Sequence, residues 1–95
     1  MPRVRVAVAA AADLAARIES HGLPADTRAR VRRRLRALRE FPLLGRALQG
    51  RYEGNRYVLG SWSWLLILYE YDPREDVVLV LGMVDARSAT SPTNR

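Results

Sequence analysis

Two near-continuous apolar runs, WLLILYEY at 64–71 and DVVLVLGMV at 76–84, stand either side of the turn sequence DPRED. Successive residues of a strand point to opposite faces, so a strand that is apolar at every position requires cover on both sides. Pro73 following Asp72 favours a tight turn, which makes the two runs an antiparallel hairpin, with strands expected over about 62–71 and 76–84. A chain of 95 residues forms one domain and buries only about 60 to 65% of the surface it exposes when unfolded. Whatever core exists must therefore be built around this hairpin.

The remaining segments supply few elements to cover it. RVRVAV at 3–8 alternates and reads as a first strand. A helix is expected over about 10–20 with Ala11, Leu14, Ala15 and Ile18 as its apolar stripe, closed by Gly22 as a C-terminal cap. Pro24 opens a second helix that runs to about Phe41, with Asp26 favourable in its first turn and Val31, Leu35 and Leu38 facing the core. Pro42 and Gly45 end it, and a further strand follows near 54–59. The order is β-α-α-β-β-β, an α+β domain with a helical hairpin packed on one face of a mostly antiparallel four-stranded sheet. Residues 1–95 make a single domain with a polar tail over about 88–95. Because two short helices cover only one face, the other should expose apolar side chains and so mark a binding surface.

Charge is concentrated on the second helix. RVRRRLRALREFP, residues 30–42, carries six arginines in thirteen positions, within a chain of net charge +6 whose sixteen basic residues are all arginine. A GC-rich coding bias produces the same usage, yet the physical consequence stands: arginine stays protonated and grips phosphate or carboxylate with a planar fork, so the surface suits polyanions or an acidic partner. The chain has no cysteine, which excludes a disulfide framework and thiolate metal sites and fits a reducing, cytoplasmic location. Asp13 interrupts the N-terminal VRVAVAAAADLAARIE run, which reads as folded structure rather than as a signal segment. No apolar stretch reaches the roughly 18 residues of a membrane span, so no membrane partner is expected. One histidine, no Gly-rich phosphate loop, no HExxH and no recognisable Ser or Cys nucleophile leave no basis for a metal site, a cofactor or the common enzyme classes.

From Leu48 onward the chain resembles the RelE/ParE superfamily of bacterial type II toxins. The matching features are LQG at 48–50, Arg56 opening NRYVLG, the strand LLILYEYD containing Tyr69, and VLGMVDAR closing on Arg87; upstream, a helical pair ending in L-R-x-F-P before a glycine follows the same plan. The resemblance implies two N-terminal helices on a mostly antiparallel sheet and a cognate antitoxin as partner. It further implies either a RelE-like, metal-independent endoribonuclease that cuts mRNA on the ribosome, or a ParE-like inhibitor of DNA gyrase. A toxin-fold corepressor without activity of its own is a third reading. Fold alone does not choose among them.

For cleavage, a 2′-hydroxyl attacks the adjacent phosphate, and the site must stabilise charge on phosphorus, which arginine does well. The resemblance puts Arg56 and Arg87 where the family has its basic catalytic or RNA-gripping residues, with Arg46, Arg51 and Tyr57 as RNA-binding candidates. Three positions depart from the family pattern. Val58 replaces a second basic residue, Ser63 or Leu66 stands where a central arginine is usual, and no tyrosine follows Arg87. Proton acceptors are few: Glu53, Glu70, Asp85 and His21, the last far along the chain from Arg56 and Arg87. Trp62 and Trp64, two apart and expected on one strand face, are candidates for the core or for partner binding.

Overall fold

In the computed structural model, which describes residues 2–88 and 91–92, the chain forms a five-stranded mixed sheet with two helices against one face. The elements are β1 (Arg3–Val6), α1 (Val8–His21), α2 (Thr27–Glu40), β2 (Arg46–Ala47), β3 (Arg56–Leu59), β4 (Leu65–Asp72) and β5 (Val77–Asp85), with a short 3-10 turn at Gly50–Tyr52. Their order across the sheet is β1-β5-β4-β3-β2. Strand β1 pairs parallel to β5, whereas every other neighbouring pair is antiparallel.

The expected hairpin is the centre of this sheet. An Asx turn starts it, with Asp72 Oδ1 accepting from the Arg74 and Glu75 amides, and Asp76 closes it at φ 54° while taking the Tyr71 hydroxyl on its carboxylate. The fifth strand is the unexpected one. Only Arg46 and Ala47 pair with β3, too short a segment for periodicity to reveal.

Both helices bury a stripe at helical spacing. From α2 these are Thr27, Val31, Leu35 and Leu38, as expected for the last three. On α1 the buried positions are Ala10 and Leu14, with Ile18 packed beside the core, while Ala11 and Ala15 face solvent. Alanines on all sides of this helix left its phase weakly marked. Gly22 caps α1 at φ 57° as expected, and α2 begins three residues after Pro24, whose carbonyl takes both the amide and the hydroxyl of Thr27. The stripes meet Leu65, Ile67, Tyr69, Val78, Val80 and Met83 from the central strands.

A bulge interrupts β5, where Leu68 pairs with Gly82 but Tyr69 pairs with Val80. The Met83 amide beside the bulge is taken by Asp13 Oδ2 of α1 at 3.2 Å. One carboxylate thereby satisfies a backbone donor and fixes α1 on the sheet. Asp13→Ala is expected to cost about 1 to 3 kcal/mol, because it leaves a partly buried donor without its partner. Faster hydrogen exchange at the Met83 amide, together with a lower urea midpoint, would register the loss.

The face away from the helices is less bare than two helices alone would leave it. Register puts Tyr57, Leu59, Leu66, Leu68, Val77, Leu79 and Val84 on that side, and of these only Leu59 is exposed, while Leu66 is buried. Central strands have neighbours on both flanks, so side chains of one face shield one another. Arg3, Arg5 and Arg46 and the acids Glu70 and Asp72 share this face. Larger apolar exposure lies elsewhere, at Val8 (87%) and in the turn after α2, at Phe41 (60%) and Leu43 (60%). Residues 89–90 and 93–95 of the expected tail lie outside the described residues; Ser91 is buried, and its amide donates to the Ser88 carbonyl.

Candidate functional site

Two clusters gather the sequence-derived candidates, and they lie apart. The first surrounds the turn that leads from α2 into β2. Tyr69, fully buried on β4, accepts from the Gly45 amide at 2.8 Å and donates to the Pro42 carbonyl at 2.9 Å. Its cross-strand neighbour Arg56 donates from Nη1 to the Gly45 carbonyl at 2.9 Å. Burial raises the Tyr69 phenol above its ordinary value, partly countered by the Gly45 bond and the nearby Arg56 charge. Arg56 thus fastens a turn, whatever else its remaining donors do. Val58, the next residue on the same side of β3, is buried in the core.

Tyr57 points to the opposite face, paired with Leu68 and with Arg46. It lines an open groove of about 430 Å3 with Arg34, Leu44, Gly45, Arg46, Val58 and Leu59. Arg51 stands apart in the 3-10 turn, its guanidinium 5.5 Å from the Tyr52 ring centroid.

The second cluster forms at the other end of the central strands. Arg87 closes on Asp85, donating its backbone amide (2.8 Å) and Nε (3.0 Å) to Oδ1 and its Nη2 (2.8 Å) to Oδ2. His21, at the end of α1, approaches Asp85 Oδ2 with Nε2 at 3.4 Å and stacks on Trp64 with ring centroids 4.6 Å apart. Trp62 stacks on Trp64 at 5.9 Å, Arg87 lies 5.2 Å from the Trp64 ring, and Arg30 of α2 lies 5.7 Å from the Trp62 ring. The tryptophans occupy the β3–β4 turn rather than a strand, so they meet by stacking and not by alternation. Position 21 looked remote from Arg87 only because the chain path from α1 to β5 is long; folding brings both to one carboxylate. The participation of Arg30 was invisible for the same reason.

Arg56 and Arg87 are not brought together. Arg56 is level with Tyr69, and Asp85, two residues before Arg87, is level with Leu65. At about 3.3 Å per residue and 4.8 Å per strand, the Arg56 and Asp85 backbones are roughly 16 Å apart. Their guanidiniums also have different anchors, Gly45 and Asp85. Among the described residues, no group of three or more His, Asp or Glu side chains converges as metal ligands would.

The hydrogen bonds from the Arg87 side chain and backbone, with a smaller contribution from His21, hold the Asp85 carboxyl well below the usual carboxylate range. A folded-state value below the unfolded one stabilises the fold above about pH 4, and this contribution is lost as pH falls through the folded value. Stability measured from pH 5 downward should therefore fall less steeply in Asp85→Asn than in the parent. Identical slopes would show that the Arg87 pair does not outlast the unfolded carboxylate's titration.

The arginines of α2 divide about its buried stripe. Arg28 and Arg32 line a small cleft with Leu14 of α1, while Arg30, Arg33 and Arg34 line an open groove of about 540 Å3 with Asp26, Ala37, Gly60 and Ser61. Asp26 Oδ2 pairs with Arg30 at 2.9 Å, and Arg34 Nε donates to the Leu59 carbonyl.

No family model and no curated protein matches the chain. Solved structures do. A chain from the toxin-antitoxin complex RelBE2 of Mycobacterium tuberculosis is similar at 25% identity and a TM-score of 0.53, over 90% of this chain and 99% of that one. A conserved hypothetical protein of Helicobacter pylori shares the fold at 15% identity and a TM-score of 0.59, over 90% of this chain and 94% of that one. With near-complete coverage of both neighbours, the two helices and five-stranded mixed sheet of this chain make a RelE/ParE-like toxin fold.

Proposed function

We propose that this protein is the toxin of a type II toxin-antitoxin pair and acts as a RelE-like, ribosome-dependent mRNA endoribonuclease in the cytoplasm, with a cognate antitoxin as its partner. The observation that carries the reading is the convergence of Arg87 and His21 on the Asp85 carboxylate beside two stacked tryptophans, in a toxin fold. In this reading Arg87 stabilises the negative charge that builds on phosphorus as the 2′-oxygen attacks. A guanidinium serves there because it keeps its proton.

His21 is the ionisable ring nearest that charge. In the tautomer that directs the Nε2 proton at Asp85, Nδ1 is the acceptor, facing the Ser20 hydroxyl at 2.8 Å. It would take the 2′-hydroxyl proton as the 2′-oxygen to phosphorus bond forms and the phosphorus to 5′-oxygen bond breaks; the departing 5′-oxygen takes a proton from water, giving a 2′,3′-cyclic phosphate and a 5′-hydroxyl. Arg56, with Arg46, Arg51 and Tyr57, would hold the RNA rather than share the scissile phosphate.

A second reading, a ParE-like gyrase inhibitor, is favoured by two features: the family's basic residue at position 58 is here a buried valine, and Arg56 is engaged with Gly45. Induced expression separates the two readings. The ribonuclease predicts mRNA 5′ ends phased to codons, and intact mRNA accompanied by gyrase-linked DNA breaks would replace it with the inhibitor. Growth that is unaffected by expression would leave the inert corepressor.

A further inference from the structure

We infer that the open face of the sheet, at the end near the β4–β5 turn, is a self-association surface on which a second copy of this chain docks face to face, about a two-fold axis running along β5. Three columns of side chains cross this face. Register sets Arg3, Val77 and Asp72 in one row and Arg5, Leu79 and Glu70 in the next, so β1 carries a basic column, β5 an apolar one and β4 an acidic one. These six line a cleft of about 190 Å3, to which Glu75 of the turn adds a third acid. All five charged residues are exposed, and Val77 and Leu79 are half-buried. Among the described residues the ion pairs are His21–Asp85, Arg30–Asp26 and Arg87–Asp85, so neither column is paired within the chain.

The order of the columns selects the occupant. The basic and acidic columns flank the apolar one at about 4.8 Å on either side, and rotation by a half-turn about the central column exchanges them. A second copy turned this way sets the partner's Asp72 over Arg3 and the partner's Glu70 over Arg5, and receives the same two contacts in return. Val77 and Leu79 then meet their own counterparts on the axis. Facing sheets lie about 10 Å apart, a gap that an upright arginine and an upright carboxylate side chain close between them. A half-turn about an axis across the strands would instead set arginine on arginine, and edge-to-edge addition at β1 would bring two basic columns side by side, which is unfavourable. A partner of a single charge sign satisfies only one of the two columns.

Three columns and two rows cover less than the roughly 800 Å2 per partner of a standard interface, so the dimer is a weak one, with a dissociation constant between about 1 μM and 1 mM. Leu79 and Asp85 are about 20 Å apart along β5, so a copy docked here leaves the Arg87 cluster uncovered, and its docking does not depend on any activity there. The test is sedimentation velocity of the intact protein across that concentration range. The expected result is a monomer that becomes a dimer as concentration rises, with a dissociation constant that increases several-fold as salt screens the contacts.

Two charge-reversed chains make the test specific to this face. Arg3→Glu/Arg5→Glu leaves only acids on it, and Glu70→Arg/Glu75→Arg makes it mainly basic while sparing Asp72, whose carboxylate holds the hairpin turn. All four substituted positions are exposed, so the fold should be unchanged by circular dichroism. Each variant alone should stay monomeric across the range, and an equal mixture of the two should form a heterodimer at least as tight as the parent dimer, because reversed arginines then meet reversed acids. A parent that is monomeric throughout, or a mixture that does not associate, overturns the inference and leaves the face to an unlike partner such as an antitoxin. A parent dimer that ignores salt or survives both reversals also overturns it, and moves self-association to another surface, such as the exposed turn at Phe41 and Leu43. Cleavage is not read in these measurements, so loss of the ribonuclease reading would leave them unaffected.

Discussion

Gly45→Ala should destabilise the protein by about 3 kcal/mol or more, a large share of the 5 to 15 kcal/mol typical of a domain. A Cβ at this position would lie 2.6 Å from the Tyr57 carbonyl oxygen and 2.7 Å from both Cε1 and the hydroxyl of Tyr69. Tyr57 O belongs to the sheet backbone, and Tyr69 is fully buried, so neither neighbour yields cheaply. Relief requires the turn to lift away, which breaks the Tyr69 bonds to Gly45 and Pro42 and the Arg56 bond to Gly45. Urea unfolding would show the effect as a lower midpoint at unchanged slope. Tyr69→Phe, which removes the hydroxyl without adding bulk, should cost less, about 1 to 3 kcal/mol. A Gly45→Ala protein as stable as its parent would mean that this turn is not held as closely as these distances imply.

If the protein is the ribonuclease proposed above, Arg87→Ala should abolish growth inhibition and lower mRNA cleavage by about a hundred- to a thousand-fold, the usual consequence of removing one transition-state charge stabiliser. Arg87 is exposed and, among the described residues, contacts its near neighbour Asp85 and the Trp64 ring, neither of which belongs to the buried core, so its removal leaves the core intact. The contrast with Arg56 is the informative part. Arg56→Ala should lower stability, because it strips the Gly45 carbonyl of its donor, and should reduce activity in step with the folded fraction and with RNA affinity. Arg56→Lys, which keeps the charge and can reach the same carbonyl, should recover most of both. Measuring cleavage at saturating RNA alongside the urea midpoint separates the two arginines. Equal losses of turnover in stable Arg56→Ala and Arg87→Ala proteins would contradict the assignment of the charge-stabilising role to Arg87 alone.

The central hairpin was legible because its signals are local and mutually consistent. Two apolar runs demanded burial, Asp72 and Pro73 marked the turn between them, and Val31, Leu35 and Leu38 marked the buried side of α2. Strand β2 was not legible. Two residues have no periodicity, and the pairing of Arg46 and Ala47 with β3 depends on a turn anchored 24 residues away by Tyr69. The apolar open face was expected from a count of helices, and it proved partly closed, since side chains on neighbouring strands shield one another.

The candidate site divides along the same line. The family resemblance singled out Arg56 and Arg87, and residue type with spacing singled out Trp62 and Trp64, because both are read along the sequence. Their partners are a property of the fold. Register across β3, β4 and β5 separated the two arginines, while the long return from α1 to β5 brought His21 to Asp85 and the packing of α2 laid Arg30 on Trp62. Sequence spacing measures distance only along one element, so it fixed the helices and the hairpin; contacts between elements depend on how those elements dock, and only the tertiary structure decided them.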